Sequence, residues 1–137
     1  MSDKKTLTFA FMDPPFESGR TTAFFRLLDA AVRRNCNINV FAYEGAVALA
    51  FAKQQAHANS VHGRNVEEEN HPLTKDWIAA LISEAKQRGL EFNWVNCGLC
   101  VDERGVNEAI EGTRRGSPAD FYNLSEASDN VLVIATR

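Results

Sequence analysis

A single α/β domain built on a mainly parallel sheet of about five strands is what this sequence predicts. Three observations carry that expectation. Short, near-continuous apolar runs at residues 6–12, 37–43, 90–95 and 131–135 read as strands buried on both faces. They alternate with segments of helical period, the pattern of a sheet covered by helices on both sides. The 137 residues suit one domain, read here as 1–137, with no repeat or low-complexity tract.

Each element has its own signal. The run TLTFAFM at 6–12 is stopped by Asp13-Pro14-Pro15, which forces the chain out of a sheet. Ser18-Gly19 turns it into a helix over 20–35, whose apolar stripe is Phe24, Leu27, Leu28 and Ala31 and whose last turn carries Arg33 and Arg34. NINVFAY at 37–43 is the second strand, and 45–53 a short helix. Residues 54–72 lose periodicity and make a long loop, holding His57, His62, His71 and the triplet Glu67, Glu68, Glu69. A helix over 74–88 repeats through Ile78, Leu81, Ile82 and Ala85 and stops at Gly89. The third strand follows, then a short helix closed by Gly105 and a brief fourth strand near 112–115. Ser117-Pro118-Ala119-Asp120 starts the final helix, with Ser as cap and Pro at the first helical position. Trp77 and Trp94 occupy periodic apolar positions and are expected in the core or an interface.

Composition narrows the function. A net charge of −3 gives no basic excess to neutralise a phosphate backbone, so nucleic acid is not an expected partner. Arg114 and Arg115 read as solvated surface. The apolar run after Met1-Ser2-Asp3-Lys4-Lys5 is too short for a signal-peptide core or a bilayer span. A cytoplasmic protein without a membrane partner is therefore expected. Three cysteines, an odd number, point to reduced thiols rather than a disulfide framework. No G-x-G-x-x-G follows the first strand, which argues against a dinucleotide site.

The segment Asn96-Cys97-Gly98-Leu99-Cys100-Val101-Asp102-Glu103-Arg104-Gly105 carries the chemistry. A cysteine that ends a strand and opens a helix meets free backbone N–H groups, which favour the thiolate, the nucleophilic form. Gly98 would leave room for a sulfur-bearing partner. Cys100 follows one helical turn later, within reach as a resolving thiol. Arg104, two turns on, can approach only if the helix ends early. Packing of both cysteines and a metal site remain alternatives. Zinc lacks a second C-x-x-C or C-x-x-H here, and no metal is assigned. Cys36 reads as a packing residue.

From Cys97 to Val106 the chain resembles the C-x-x-C-x-x-x-R-G signature of the YchN-like branch of the DsrE/DsrF superfamily. Sulfur-relay members of that superfamily carry their active cysteine seven residues before the Arg of an Arg-Gly pair, the spacing of Cys97 to Arg104. The resemblance extends to the first strand and helix, to Val40-Phe41-Ala42-Tyr43-Glu44-Gly45-Ala46-Val47 and to the closing helix and strand. It implies a three-layer α/β/α domain, homotrimers or hexamers, no organic cofactor, and persulfide transfer with sulfur-donor and acceptor proteins. Residues 54–72 are longer than that pattern, and Glu103 departs from it.

Other residues are weighed beside this motif. Asp13 and Glu17, in the turn after the first strand, could steer protons to or from sulfur if that turn lies near Cys97. Turn formation is the plainer role. Ser18, Thr21 and Thr22 could hold an anion, although helix capping suits Ser18 better. Phe16 could cover the thiols or meet a second subunit. The histidines and Glu67–Glu69 match no ligand spacing and suit a loop or lid. The leading expectation is a sulfur carrier taking sulfane sulfur as a persulfide on Cys97, with Cys100 releasing or protecting it. The rivals are a dithiol–disulfide redox protein using both cysteines and a non-catalytic oligomeric binding module.

Overall fold

The computed structural model describes residues 4–69 and 71–136. Five strands form the sheet: β1 (Thr6–Phe11), β2 (Asn37–Ala42), β3 (Phe92–Cys97), β4 (Thr113–Gly116) and β5 (Asn130–Ile134). Every pairing is parallel, in the order β4-β3-β2-β1-β5. Phe9 sits opposite Val40 on one side and Leu132 on the other, and Val40 opposite Trp94. The α/β expectation therefore holds, with the sheet all-parallel rather than mainly so.

Parallel strands need crossovers, and helices supply them. These are α1 (Gly19–Arg33), α2 (Val66–Glu69), α3 (Thr74–Gln87), α4 (Gly98–Arg104) and α5 (Pro118–Glu126), with a 3-10 segment at Glu44–Ala50 after β2. Against one part of the sheet, α1 and α3 build an aromatic core. Phe24 stacks on Phe11 with centroids 4.2 Å apart, Phe25 lies 4.8 Å from Trp77, and Trp94 is buried beside both phenylalanines. A second, smaller cluster holds Phe41, Val47, Val95, Cys97, Cys100 and Val101, with Phe121 and Leu124 of α5 against it. The cysteines belong to this second cluster.

Two expectations about the core change. Leu27 is exposed, because the stripe α1 turns inward is Thr21, Phe24, Phe25, Leu28, Ala31 and Val32. In β5, Val131, Leu132 and Val133 are also exposed, although the strand reads as fully buried. It is an edge strand paired only to β1, so composition alone overestimates its cover. Together Leu27, Leu7, Val131 and Leu132 line an apolar groove.

The remaining boundaries lie close to their sequence signals. The 45–53 helix is a 3-10 segment ending at Ala50. At α5 the Asp120 carboxylate accepts the Ser117 main-chain N–H at 2.8 Å, the reciprocal half of a capping box. Residues 54–72 contain a 3-10 turn at Ser60–His62 and α2 rather than an unstructured loop. Among the described residues, no helix is long and apolar enough to cross a membrane.

Candidate functional site: a paired thiol beside two arginines

β3 delivers Cys97 to the carboxyl end of the sheet, and α4 begins at the next residue. Asn96 is buried and fixed there by the Trp94 indole, whose Nε1 donates to its Oδ1 at 3.0 Å. Cys97 occupies the cap position of α4 without a side-chain capping bond. One turn later Cys100 lies in the same apolar cluster, close to Cys97. Both are free and nearly covered, at 7% and 8% exposure. A partner thiol can therefore react with them only if the cover around them gives way.

α4 has only seven residues, so its dipole is short and nearby groups dominate the field. A cation on edge strand β4 stands beside this turn. The Arg115 guanidinium donates to both Asp102 carboxylate oxygens at 3.0 and 2.9 Å and to the Gly98 carbonyl at 3.2 Å. Its hydrogen bonds to Asp102 raise its pKa, and an ionised Cys97 sulfur adds to that effect. The same pair holds the Asp102 carboxyl below its ordinary range. Gly98 has no open space above it. An added Cβ would lie 2.9 Å from an Arg115 terminal nitrogen, so the guanidinium fills the room expected for a sulfur-bearing partner.

Cys100 has a different environment. The Glu44 main-chain N–H donates to its Sγ at 3.2 Å. Burial raises the Cys100 pKa most, and the neighbouring Cys97 raises it further, while the Glu44 N–H works in the opposite direction. Glu44 itself is bound by Arg104, whose Nη2 lies 3.0 Å from its carboxylate. Arg104 also donates to the Cys100 carbonyl at 3.5 Å. It thus reaches the thiol pair through Glu44, which no sequence spacing foretold. The Glu44–Arg104 pair borders an open depression of about 690 Å³ shared with Met12, Pro14, Gly45, Ala48 and Thr136.

A family model for the DsrE/DsrF-like family matches residues 5–134. The chain belongs to the DsrE/DsrF-like family. The crystal structure of the YchN protein from E. coli is similar to this DsrE-like chain with a TM-score of 0.66 and 18% identity, covering 96% of this chain and all 100% of that one. A conserved protein of unknown function from Bacteroides thetaiotaomicron is similar with a TM-score of 0.55 and 16% identity, covering 95% of each. At those identities the two structures speak for the shared fold alone. Among the curated proteins none matches.

The DsrE-like fold brings Cys97, Gly98, Cys100 and Arg104 together and sets other candidates apart. Ser18 caps α1, accepting the Arg20 N–H at 3.1 Å and donating to buried Asp13 at 2.8 Å. Glu17 is exposed, and no described contact joins it or Ser18 to the thiols. Phe16 packs against His71 and His57 instead, with centroids 4.7 and 6.4 Å away. Among the described residues, no three His, Cys, Asp or Glu side chains converge as metal ligands. Cys36 is half-buried and packs on the larger core.

Sequence reasoning missed Asp102, Glu44 and above all Arg115. Asp102 and Arg115 lie 13 positions apart on different elements, with no shared periodicity to connect them. Glu44 leaves one trace in the sequence: it precedes a glycine that must be small. At Gly45 a Cβ would come within 2.8 Å of the Pro14 ring.

Proposed function

We propose that this chain is a sulfur carrier of the relay type, loading sulfane sulfur on Cys97. The observation that carries the reading is the juxtaposition of two free thiols with Arg115 beside the first and the Glu44 N–H on the second. In the loading step the Cys97 thiolate attacks the outer sulfur of a donor persulfide. The donor's S–S bond breaks, its thiolate leaves and takes up the proton of the transferred sulfur, and a Cys97 persulfide anion forms. An acceptor thiolate then takes the outer sulfur and returns Cys97 as thiolate. Arg115 offers positive charge next to an anion that persists throughout the cycle. Cys100 can instead attack the inner sulfur, closing a disulfide and releasing hydrosulfide.

Incubation with a persulfide donor followed by intact-mass measurement tests this. The expected product is one sulfur heavier, lost on reduction and absent in Cys97→Ser. A wild-type chain that gains no sulfur would defeat the proposal.

The second reading, a dithiol–disulfide couple, is favoured by the mutual contact of the two thiols. It requires both cysteines equally, whereas loading requires only Cys97. Its reduction potential would fall at roughly −270 to −200 mV, the range of thioredoxin and glutaredoxins. Either chemistry suits a reducing, cytoplasmic setting.

We also propose self-association as a trimer or hexamer. The exposed apolar surface of Leu27, Val131, Leu132 and Val133 supports burial against further copies. Light scattering should report a mass several times the 15.2 kDa of one chain. A monomer at micromolar concentration would overturn this part.

A further inference from the structure

The backbone at Glu44 is unusual. Its φ is +53°, in the left-handed region that side chains other than Gly, Asn and Asp rarely adopt. Such a conformation costs free energy and persists only where surrounding contacts hold it. Here the contacts are visible. Gly45, the next residue, is pressed against Pro14. On the other side Arg104 grips the Glu44 carboxylate at 3.0 Å. The outcome is a single main-chain N–H aimed at a sulfur, 3.2 Å from Cys100 Sγ.

We infer that Arg104 is a positioning residue for the second thiol: by holding Glu44 in its left-handed conformation it keeps the Glu44 N–H on Cys100 Sγ, where that donor stabilises a negatively charged sulfur. This deepens the two-thiol reading, because the N–H offsets part of the upward push that burial gives the Cys100 pKa and so eases formation of the thiolate that attacks the inner sulfur. A hydrogen bond to an ionised acceptor is worth more than one to a neutral acceptor. The Glu44 N–H lowers the Cys100 pKa, as this requires, whereas burial and the Glu44 carboxylate raise it. Charge alone does not account for the arrangement. Arg104 points its Nη2 at Glu44 and its Nη1 at the Cys100 carbonyl, not at the sulfur. The other titratable groups around Cys100 are Cys97, the Glu44 carboxylate and Tyr43, with Arg115 and Asp102 beyond Cys97.

The test uses the full chain carrying Cys36→Ala and Cys97→Ala, so that Cys100 is the remaining thiol. Its alkylation by iodoacetamide is followed by intact mass across pH, with a thermal melt of each variant. No sulfur donor is present, so the result stands or falls separately from persulfide loading. Arg104→Gln should slow alkylation near neutral pH by about three- to tenfold, as expected for partial loss of a bond to a charged acceptor. Its pH midpoint should move up while the protein stays folded. Arg104→Lys, which can still pair with Glu44, should recover part of the rate.

The deciding variant is Glu44→Gly. Glycine enters the left-handed region without a side chain, so the N–H should stay in place and the rate should match or exceed the starting value. Arg104→Gln added to Glu44→Gly should then change nothing further. An equal slowing in both backgrounds would mean Arg104 acts directly by charge and would overturn the inference. So would a slowing by Glu44→Gly alone, or no slowing by Arg104→Gln.

Discussion

Two turns at the carboxyl end of the sheet, one after β1 and one after β3, look alike in sequence. Each leaves a strand, passes a small polar or sulfur-bearing residue and a glycine, and enters a helix. They differ in what the capping residue does. Ser18 gives its oxygen to the Arg20 amide and its hydroxyl proton to Asp13, so the start of α1 is satisfied internally. Cys97 makes no capping bond, and its sulfur is left near Cys100 and Arg115. The glycines repeat the contrast. A Cβ at Gly19 would meet nothing within 4 Å, whereas one at Gly98 would strike the Arg115 guanidinium. The first turn is satisfied within itself, and the second leaves an uncapped thiol near a guanidinium.

The largest expected effect breaks the comparison at the sulfur. Cys97→Ser should abolish donor-dependent mass gain while leaving the melting temperature nearly unchanged, because serine supplies a better cap than the thiol. Ser18→Ala should do the reverse. It removes a cap and the hydroxyl that hydrogen-bonds buried Asp13, for a loss of about 1–2 kcal/mol in denaturant unfolding. A loading defect in that variant beyond its loss of stability would join the two turns into one site.

The glycines give a smaller, paired effect. Gly19→Ala should stabilise the chain by up to about 1 kcal/mol, since alanine is the better helix former and space is available. Gly98→Ala should cost little stability, because the obstructing group is the end of a flexible side chain. It should shift Arg115 off the Gly98 carbonyl and slow Cys97 loading several-fold, about the scale of one charge-assisted bond.

The smallest effects are in pH. Asp102 and Asp120 have folded-state pKa values below the ordinary carboxylate range, the first through Arg115 and the second mainly through the Ser117 N–H. Their contribution is present above a pH of about 4 and is lost as pH falls through the folded-state values. Asp102→Asn should flatten that part of the acid limb in urea titrations. Cys100 has the opposite sign. Its pKa is raised by burial, so its contribution is present below a pH of about 8.5 and is lost as pH rises through the folded-state value. Cys100→Ala should remove that alkaline loss, although it also leaves a small cavity.

By itself the sequence determined the α/β class, the order of the elements and the Cys97–Arg104 segment. Those properties rest on local signals: apolar runs of strand length, helical periodicity, Ser117-Pro118 and the seven-residue spacing from Cys97 to Arg104. Tertiary structure decided which side chains meet. Arg115 reaches Asp102 across two elements, Glu44 turns its N–H onto Cys100 from the end of another strand, and the β1 turn keeps Ser18 to itself. It also left β5 at an exposed edge where its composition reads as core. Local pattern reports how a segment buries its own faces. The partners it meets depend on strand order and on the reach of long side chains, and neither has a period in the sequence.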